Sequence, residues 1–277
     1  MPENSLLTIA IVTYNSYQVV CDCLDELLRS NLFKVVVVDN ASADNTGEQL
    51  QQRYPNIELI KAATNIGYGR AANKAMDAAT TPYLLLINPD LKATRATVTR
   101  LFEDMLACDG KTALIAPAVE TGDHTRTGMM EREWVIGAAM LFNLQALKPV
   151  GHFDENIFLF SEETDLCLRI RKAGLKIYLD SDVYIEHLYR QSSAPNPATE
   201  NLKNWHTAWS SAYFHTKHGL AVGKKNPKRM LALYWVKYLL ATNREKRALY
   251  KARYRGTLAF TRGEAAFLAD GRPQHTG

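Results

Sequence analysis

Glu162-Glu163-Thr164-Asp165 crowds three carboxyl groups into four positions. Crowded acids raise one another's pKa, which suits one of them to take a proton from a hydroxyl. The same residues open a predicted helix whose far end carries Arg169, Arg171 and Lys172, so complementing the helix dipole is a second reading of the cluster. Three further polar clusters each end an apolar segment: Thr13-Tyr14-Asn15, Asp39-Asn40 and Asn88-Pro89-Asp90. Asp39 follows four consecutive valines and is placed to accept hydrogen bonds from a ribose or a base N–H. It is equally placed to begin a turn with Ser42 and cap the next helix. Asp90 suits a hard divalent cation that takes oxygen ligands and shares its shell with phosphate, while an Asx-Pro turn accounts for the same residues. His187, alone after a short apolar run, reads first as a structural histidine and second as a metal ligand.

Asn65-Ile66-Gly67-Tyr68-Gly69-Arg70 is not a dinucleotide fingerprint. The third glycine is absent, position 72 is alanine, and the segment follows the third predicted strand rather than the first. Hydride transfer is therefore disfavoured, although backbone amides at this helix start, with Arg70, are placed to meet a phosphate. A nucleotidyltransferase calls for a glycine-rich basic loop after the first strand, and Thr13-Tyr14-Asn15 is not one.

These clusters are positioned by alternating elements. Strands are predicted over 6–12, 35–38, 57–61, 83–87 and 113–117, and helices over 17–29, 47–54, 70–79 and 96–108, from apolar runs, helical spacing and turn residues. Alternation of this kind predicts a parallel sheet with helices on both faces and right-handed crossovers. The clusters after the first, second and fourth strands then share the carboxyl rim, where open α/β sheets hold ligands. Further along, 121–133 reads as a loop, 134–142 as a strand, 165–173 as a helix ended by Gly174, 176–179 and 183–186 as two short strands, and 190–199 as a mobile loop.

The 277 residues carry a net charge of +4, unevenly spread. From Lys217 onward there are 14 Lys and Arg against 3 Asp and Glu, a local +11, and the rest of the chain carries −7. No apolar run approaches the roughly 20 residues of a membrane span. Residues 230–241 mix apolar and aromatic side chains between Lys228, Arg229, Arg244, Lys246 and Arg247. That composition fits a helix lying in a membrane interface, or one packed on the domain with a basic outer face. Cys21, Cys23, Cys108 and Cys167 lack zinc spacing, and no secretory signal precedes them, so reduced thiols in the cytoplasm are expected.

Taken in order, Val12-Thr-Tyr-Asn-Ser16, Val37-Val-Asp39-Asn-Ala-Ser42, Asn65-Ile-Gly67-Tyr-Gly69, Asn88-Pro-Asp90, Gly137-Ala-Ala, Gly151-His-Phe153-Asp154-Glu155 and Glu162-Glu-Thr-Asp165-Leu-Cys-Leu-Arg169 resemble the family 2 glycosyltransferases. The likeness spans about residues 5–220 and is strongest to the bacterial rhamnosyltransferase-like branch. It implies an α/β GT-A fold, a mostly parallel Rossmann-like sheet flanked by helices, with a C-terminal helical extension. The implied divisions are a donor-binding half at 1–118, an acceptor-binding and catalytic half at 119–220, and a basic, aromatic extension at 221–277.

The resemblance also implies the roles. Thr13, Tyr14, Asn15, Asp39, Asn65, Gly67, Arg70, Asn88 and Asp90 would bind the nucleotide sugar, and Trp134, Gly137 and Glu162 the acceptor. Asp90 and His187 would hold Mg²⁺ or Mn²⁺. Glu163 would be the catalytic base, with Glu162 and Asp165 as alternates. Two positions depart from the fuller family pattern: Asn88 stands where an acid is usual, and Glu163 where aspartate is. The implied activity is inverting transfer of a sugar, L-rhamnose from dTDP-L-rhamnose or else a UDP-hexose or UDP-N-acetylhexosamine, to a glycan or lipid-diphosphate-linked acceptor for surface polysaccharide. No nucleic acid partner is implied, and the expected location is cytoplasmic, peripheral on the inner face of the membrane. A catalytically idle nucleotide-sugar-binding protein is the alternative that the Asn88 departure keeps open.

Overall fold

A computed structural model describes residues 6–119, 127–188 and 197–274. Two compact units make up the chain, each discontinuous in sequence.

The first unit comprises Met1–Asn65, Arg70–Phe153 and Leu166–Ala194. Its strands are β1 (Leu7–Thr13), β2 (Lys34–Asp39), β3 (Glu58–Lys61), β4 (Tyr83–Ile87), β5 (Leu91–Lys92), β6 (Thr112–Ala118), β7 (Met129–Glu131), β8 (Ala139–Asn143), β9 (Lys176–Tyr184) and β10 (Glu186–His187). Helices α1 (Tyr17–Arg29), α2 (Thr46–Arg53), α3 (Tyr68–Ala78), α4 (Arg95–Leu106), α5 (Leu144–Leu147) and α6 (Glu162–Lys172) alternate with them, the first residues of α3 and the first turn of α6 being assigned to the second unit. Eight strands form one sheet in the order β3-β2-β1-β4-β8-β6-β9-β7, and β5 pairs with β10 in a separate ladder.

The run β3-β2-β1-β4 is parallel throughout; the continuous apolar runs of β1, β2 and β4 suit strands covered on both faces, and β3 at the edge is partly exposed. β8 enters antiparallel between β4 and β6, β6 and β9 are parallel, and β7 closes the edge antiparallel. Val20, Leu24 and Leu27 of α1 and Leu101, Phe102 and Met105 of α4 pack with the strands in one buried cluster.

Several predicted elements shift. The helix expected from Arg70 begins at Tyr68, and that expected from Asp165 begins at Glu162, so the acid cluster forms the first turn itself. Gly174 ends α6 in the left-handed region (φ 72°), with Leu175 N–H donating to Ile170 O and Gly174 N–H to Arg171 O. The strand expected over 134–142 is confined to Ala139–Asn143, because Gly137 and Ala138 form a turn ahead of it. The loop expected over 121–133 contains β7 at Met129–Glu131, and its residues 121–126 lie outside the described residues.

The two strands expected over 176–179 and 183–186 are instead the single β9 followed by β10. Asp180, Ser181 and Asp182 look like a break, but Asp182 N–H donates to Asp180 Oδ1 and a register shift absorbs the excess chain. Burial, and next the Asp104 carboxyl, push Asp180 up to about 6. Of the loop expected over 190–199, residues 190–196 lie outside the described residues and 197–199 begin a helix.

The second unit comprises Ile66–Gly69, Asp154–Asp165 and Pro195–Gly277. Its helices are α7 (Pro197–Lys217), α8 (Pro227–Leu240) and α9 (Arg244–Thr261). Phe158, Trp205, Trp209, Ala259 and Ala266 form its core. Trp209 Nε1 donates to Glu264 O and Ser210 Oγ to Leu159 O. α9 reaches α7 through Gly256, where an added Cβ would lie 2.1 Å from Trp205 O. Gly256→Ala is expected to cost about 1–3 kcal/mol by overpacking, read as a lower urea midpoint with an unchanged slope.

Candidate active site

The ladder that pairs Thr13 with Asp39 ends β1 and β2 level with one another. Two loops leave that edge and are stitched together. Thr13 Oγ1 lies 2.6 Å from Ser16 Oγ, Asn15 N–H donates to Ser42 Oγ, Ala43 N–H donates to Asn15 Oδ1, and Ser16 N–H donates to Thr46 Oγ1. Asn15 takes a left-handed backbone (φ 50°), which asparagine tolerates better than most residues.

Asp39 is buried and already employed. Its Oδ1 accepts from Ser42 N–H and Ser42 Oγ, and its Oδ2 from Gly47 N–H in the first turn of α2. This is the turn-and-cap arrangement, with the cap supplied from the strand end rather than by Asn45, whose side chain makes no cap bond. Gly47 is required there because an added Cβ would fall 2.6 Å from Asp39 Oδ2. Tyr14 is the solvent-facing member of the first cluster. Asn40 Nδ2 donates to Asn65 Oδ1 at 3.1 Å, drawing the third loop's Asn65 to the end of β2.

Within the second unit, Gly67 has a left-handed backbone (φ 82°), and an added Cβ would lie 2.4 Å from Phe158 O. Tyr68 N–H donates to that same carbonyl. Close backbone approach therefore accounts for this glycine.

β4 ends at Ile87, and Asn88 N–H continues its ladder to Ala138 O, one residue from Gly137. Pro89 and Asp90 are buried. The short ladder that pairs Leu91 with His187, continued by Leu188 N–H donating to Asp90 O, carries His187 to Asp90. His187 Nε2 stands 3.4 Å from Asp90 Oδ1, and among the described residues that oxygen accepts no hydrogen bond. A buried carboxylate oxygen without a donor is costly unless something fills the place. No group of three or more His, Cys, Asp or Glu among the described residues is arranged to hold a metal. Mg²⁺, however, is commonly held by one or two carboxylates with substrate phosphates and water completing the shell. Asp90 and His187 fit a cation of this kind when a diphosphate supplies the remaining oxygens.

Trp134 is 46 % exposed, in the connection between β7 and β8. Val150 to Phe153 is clamped from two helices. Arg169 donates to Val150 O and His152 O, while Asn73 Nδ2 donates to Phe153 O and Phe153 N–H to Asn73 Oδ1.

In the second unit, the first turn of α6 follows Phe160 and Ser161, both with positive φ. Its three acids have three different surroundings. Asp165 is fully buried, with Oδ1 2.5 Å from Lys217 Nζ and 2.8 Å from His218 Nε2. Glu162 is buried with Oε2 lacking a hydrogen bond among the described residues; burial first, then the Glu163 charge, push its carboxyl well above the usual range. Glu163 is half-buried and accepts from Thr164 Oγ1 at 3.2 Å.

Lys217 also meets Asp154 Oδ2 at 2.6 Å, where Tyr213 OH donates at 2.9 Å. Burial opposes the charge on Asp154, but Lys217, Asn156 and Tyr213 hold it down at about 2. Sequence reasoning missed this network. Asp154 was visible only as part of a motif, and Lys217 counted as the first cation of the basic tail, whereas it pairs with one buried and one partly buried acid.

Two outcomes are expected. Lys217→Met leaves Asp154 and Asp165 without their shared cation and should cost about 3–5 kcal/mol, measured by urea denaturation at neutral pH. Glu162 has a raised folded pKa, so its ionisation costs stability. That cost is absent below the unfolded pKa and grows as pH rises through the folded one. Glu162→Gln should flatten this decline in melting temperature with rising pH; an unchanged slope would contradict the assignment.

The sequence matches the family described as "Glycosyl transferase family 2" over residues 8–165. An N-acetylglucosaminyl-diphospho-decaprenol L-rhamnosyltransferase of Mycobacterium tuberculosis is 26% identical, over 60% of this chain and 69% of its own length. In fold, the chain is similar to the mannosyltransferase PcManGT from Pyrobaculum calidifontis, solved with GDP-Man and Mn²⁺. That match has a TM-score of 0.60 and 16% identity, and covers 92% of this chain and 87% of the other. It is also similar to Staphylococcus aureus TarS 1–349, with a TM-score of 0.57 and 15% identity, covering 93% of this chain and 92% of the other. The expected GT-A architecture, a mostly parallel sheet flanked by helices with a C-terminal helical region, is the fold observed.

Proposed function

The chain belongs to glycosyl transferase family 2, and from that premise we propose that it is an inverting enzyme of surface polysaccharide synthesis. It moves a sugar from a nucleotide diphosphate donor to a hydroxyl of a glycan or lipid-linked acceptor. The observation that carries this reading is the Asp90–His187 pair, a buried carboxylate with an unfilled oxygen beside an imidazole, following β4 of the sheet. Thr13, Tyr14, Asn15, Asp39 and Asn65 take the donor's base and ribose, and Arg70, Asn88 and Asp90 its diphosphate end. Asp90 and His187 hold Mg²⁺ or Mn²⁺, which when bound supplies Lewis-acid stabilisation of the leaving diphosphate's charge.

Glu163 is the base. Asp165 is committed to Lys217 and His218, and Glu162 favours its neutral form, so among the three acids Glu163 is the one suited to accept a proton. It removes the proton from the acceptor hydroxyl as that oxygen bonds to the anomeric carbon. The bond from that carbon to the diphosphate oxygen breaks on the opposite face, and its electron pair leaves with the nucleotide diphosphate. Glu162, when protonated, is a hydrogen-bond donor for the acceptor, with Trp134 and Gly137 as further acceptor contacts.

The name of the mycobacterial relative supports L-rhamnose as the sugar and a lipid diphosphate as the acceptor's anchor. The donor is then dTDP-L-rhamnose, with UDP-hexoses and UDP-N-acetylhexosamines the next to test. Nucleotide sugars of this kind place the reaction on the cytoplasmic side.

Release of nucleotide diphosphate should be followed with each donor, with and without a lipid diphosphate acceptor. A base of this type contributes about 10²–10⁴ in rate. Glu163→Gln should therefore lose turnover on that scale while binding donor normally, and normal turnover would remove Glu163 from the role. Asp90→Asn should weaken donor binding in the presence of Mn²⁺ and abolish the response to it. Absence of release with every donor would favour an idle nucleotide-sugar-binding protein.

A further inference from the structure

α8 of the second unit is two-sided, and only one side is used. Met230, Tyr234 and Tyr238, spaced by four, are buried or partly buried along one stripe. At the border between the two sides Trp235, 44 % exposed, has its ring near that of Tyr238 and that of Tyr254 from α9 (centroids 5.8 and 5.2 Å), while Arg247 lies over Tyr238 and Lys237 over Tyr250. The other side is apolar and open. Leu233, Trp235, Val236, Leu239 and Leu240 are all exposed, Leu239 by 56 % and Leu240 by 74 %. At 3.6 residues per turn they fall within about 160° of arc. One continuous apolar face of this size marks an interaction surface rather than scattered exposure.

Cations flank it at both ends. Lys228 and Arg229 precede the face, Arg244, Lys246 and Arg247 follow it, and all five are exposed. The 14 residues of α8 reach about 21 Å at 1.5 Å each, short of the roughly 30 Å hydrocarbon core. Among the described residues no helix is long and apolar enough to cross a membrane.

We infer that the outer face of α8 lies in the plane of an anionic lipid bilayer, with the five apolar side chains at the acyl boundary and the flanking cations among the headgroups. An apolar face rimmed by basic residues is the pattern that suits this partner. A second copy of the chain would bring like charges against each other, and a nucleic acid would leave the apolar row uncovered. The inference deepens the proposed function by naming the surface from which a lipid-linked acceptor is reached. It is measured without donor or acceptor, so either can fail alone.

The test is flotation of the full 277-residue chain with vesicles of phosphatidylcholine alone or mixed with phosphatidylglycerol. Binding is expected only with phosphatidylglycerol and should weaken as salt rises. Val236→Glu and Leu240→Glu should each reduce it by about tenfold or more, with melting temperature unchanged because both side chains are exposed. Brominated phospholipid should quench tryptophan emission, and Trp235→Phe should remove most of that quenching. Full vesicle binding by Leu240→Glu, no vesicle binding by the native chain, or a solution dimer dispersed by Leu240→Glu would each overturn the inference.

Discussion

The parallel ladder that sets Thr13 opposite Asp39 and Ile11 opposite Ile87 is the constraint on which the residues proposed to meet the donor depend. β1 is hydrogen-bonded on both sides, so its two neighbours cannot slip without turning buried valines and leucines to the wrong face. Once that register is held, the loops after β1 and β2 leave the sheet level with each other and can exchange hydrogen bonds. Asp39 completes the arrangement by accepting from Ser42 and from the first turn of α2. A carboxylate so employed is rigid, and rigidity is what a positioned ligand contact requires.

Burial sorts the acids by what each is given. Asp165 is buried and Asp154 partly buried, both against Lys217, and Asp154 is held as a carboxylate by that cation and its hydrogen bonds. Glu162 is buried without a cation, and burial beside Glu163 favours its neutral form. Asp90 is buried with His187 near one oxygen and no hydrogen bond to it among the described residues. An uncompensated buried charge costs several kcal/mol (roughly 3–5 when one partner is removed). The contrast between the filled and unfilled acids is therefore informative about chemistry, where a bare count of acids is not.

The basic tail divides in the same way. Lys217 is spent inside the second unit on two carboxylates, while the cations about α8 remain on the surface beside exposed leucines. Net charge of +11 over this region describes both uses and distinguishes neither.

By itself the sequence determined the alternation of strands and helices, the apolar strands of the parallel run, the placement of polar clusters at strand ends, and the family through the order of its motifs. Those are local signals: a four-valine run, helical spacing in Tyr17–Arg29, and turn residues after each strand say what each segment must bury. Tertiary structure decided what has no local signature. Leu91-Lys92 and Glu186-His187 are two-residue strands, too short to show alternation, yet their pairing brings His187 to Asp90. Gly67 has Phe158 O in the space a Cβ would occupy, a close approach that no spacing along the chain announces. Lys217 and Asp165 are 52 positions apart, and their contact depends on the packing of α7, which no spacing in the chain encodes. Long-range pairing and burial set the state of each side chain, and composition sets only which side chains are available.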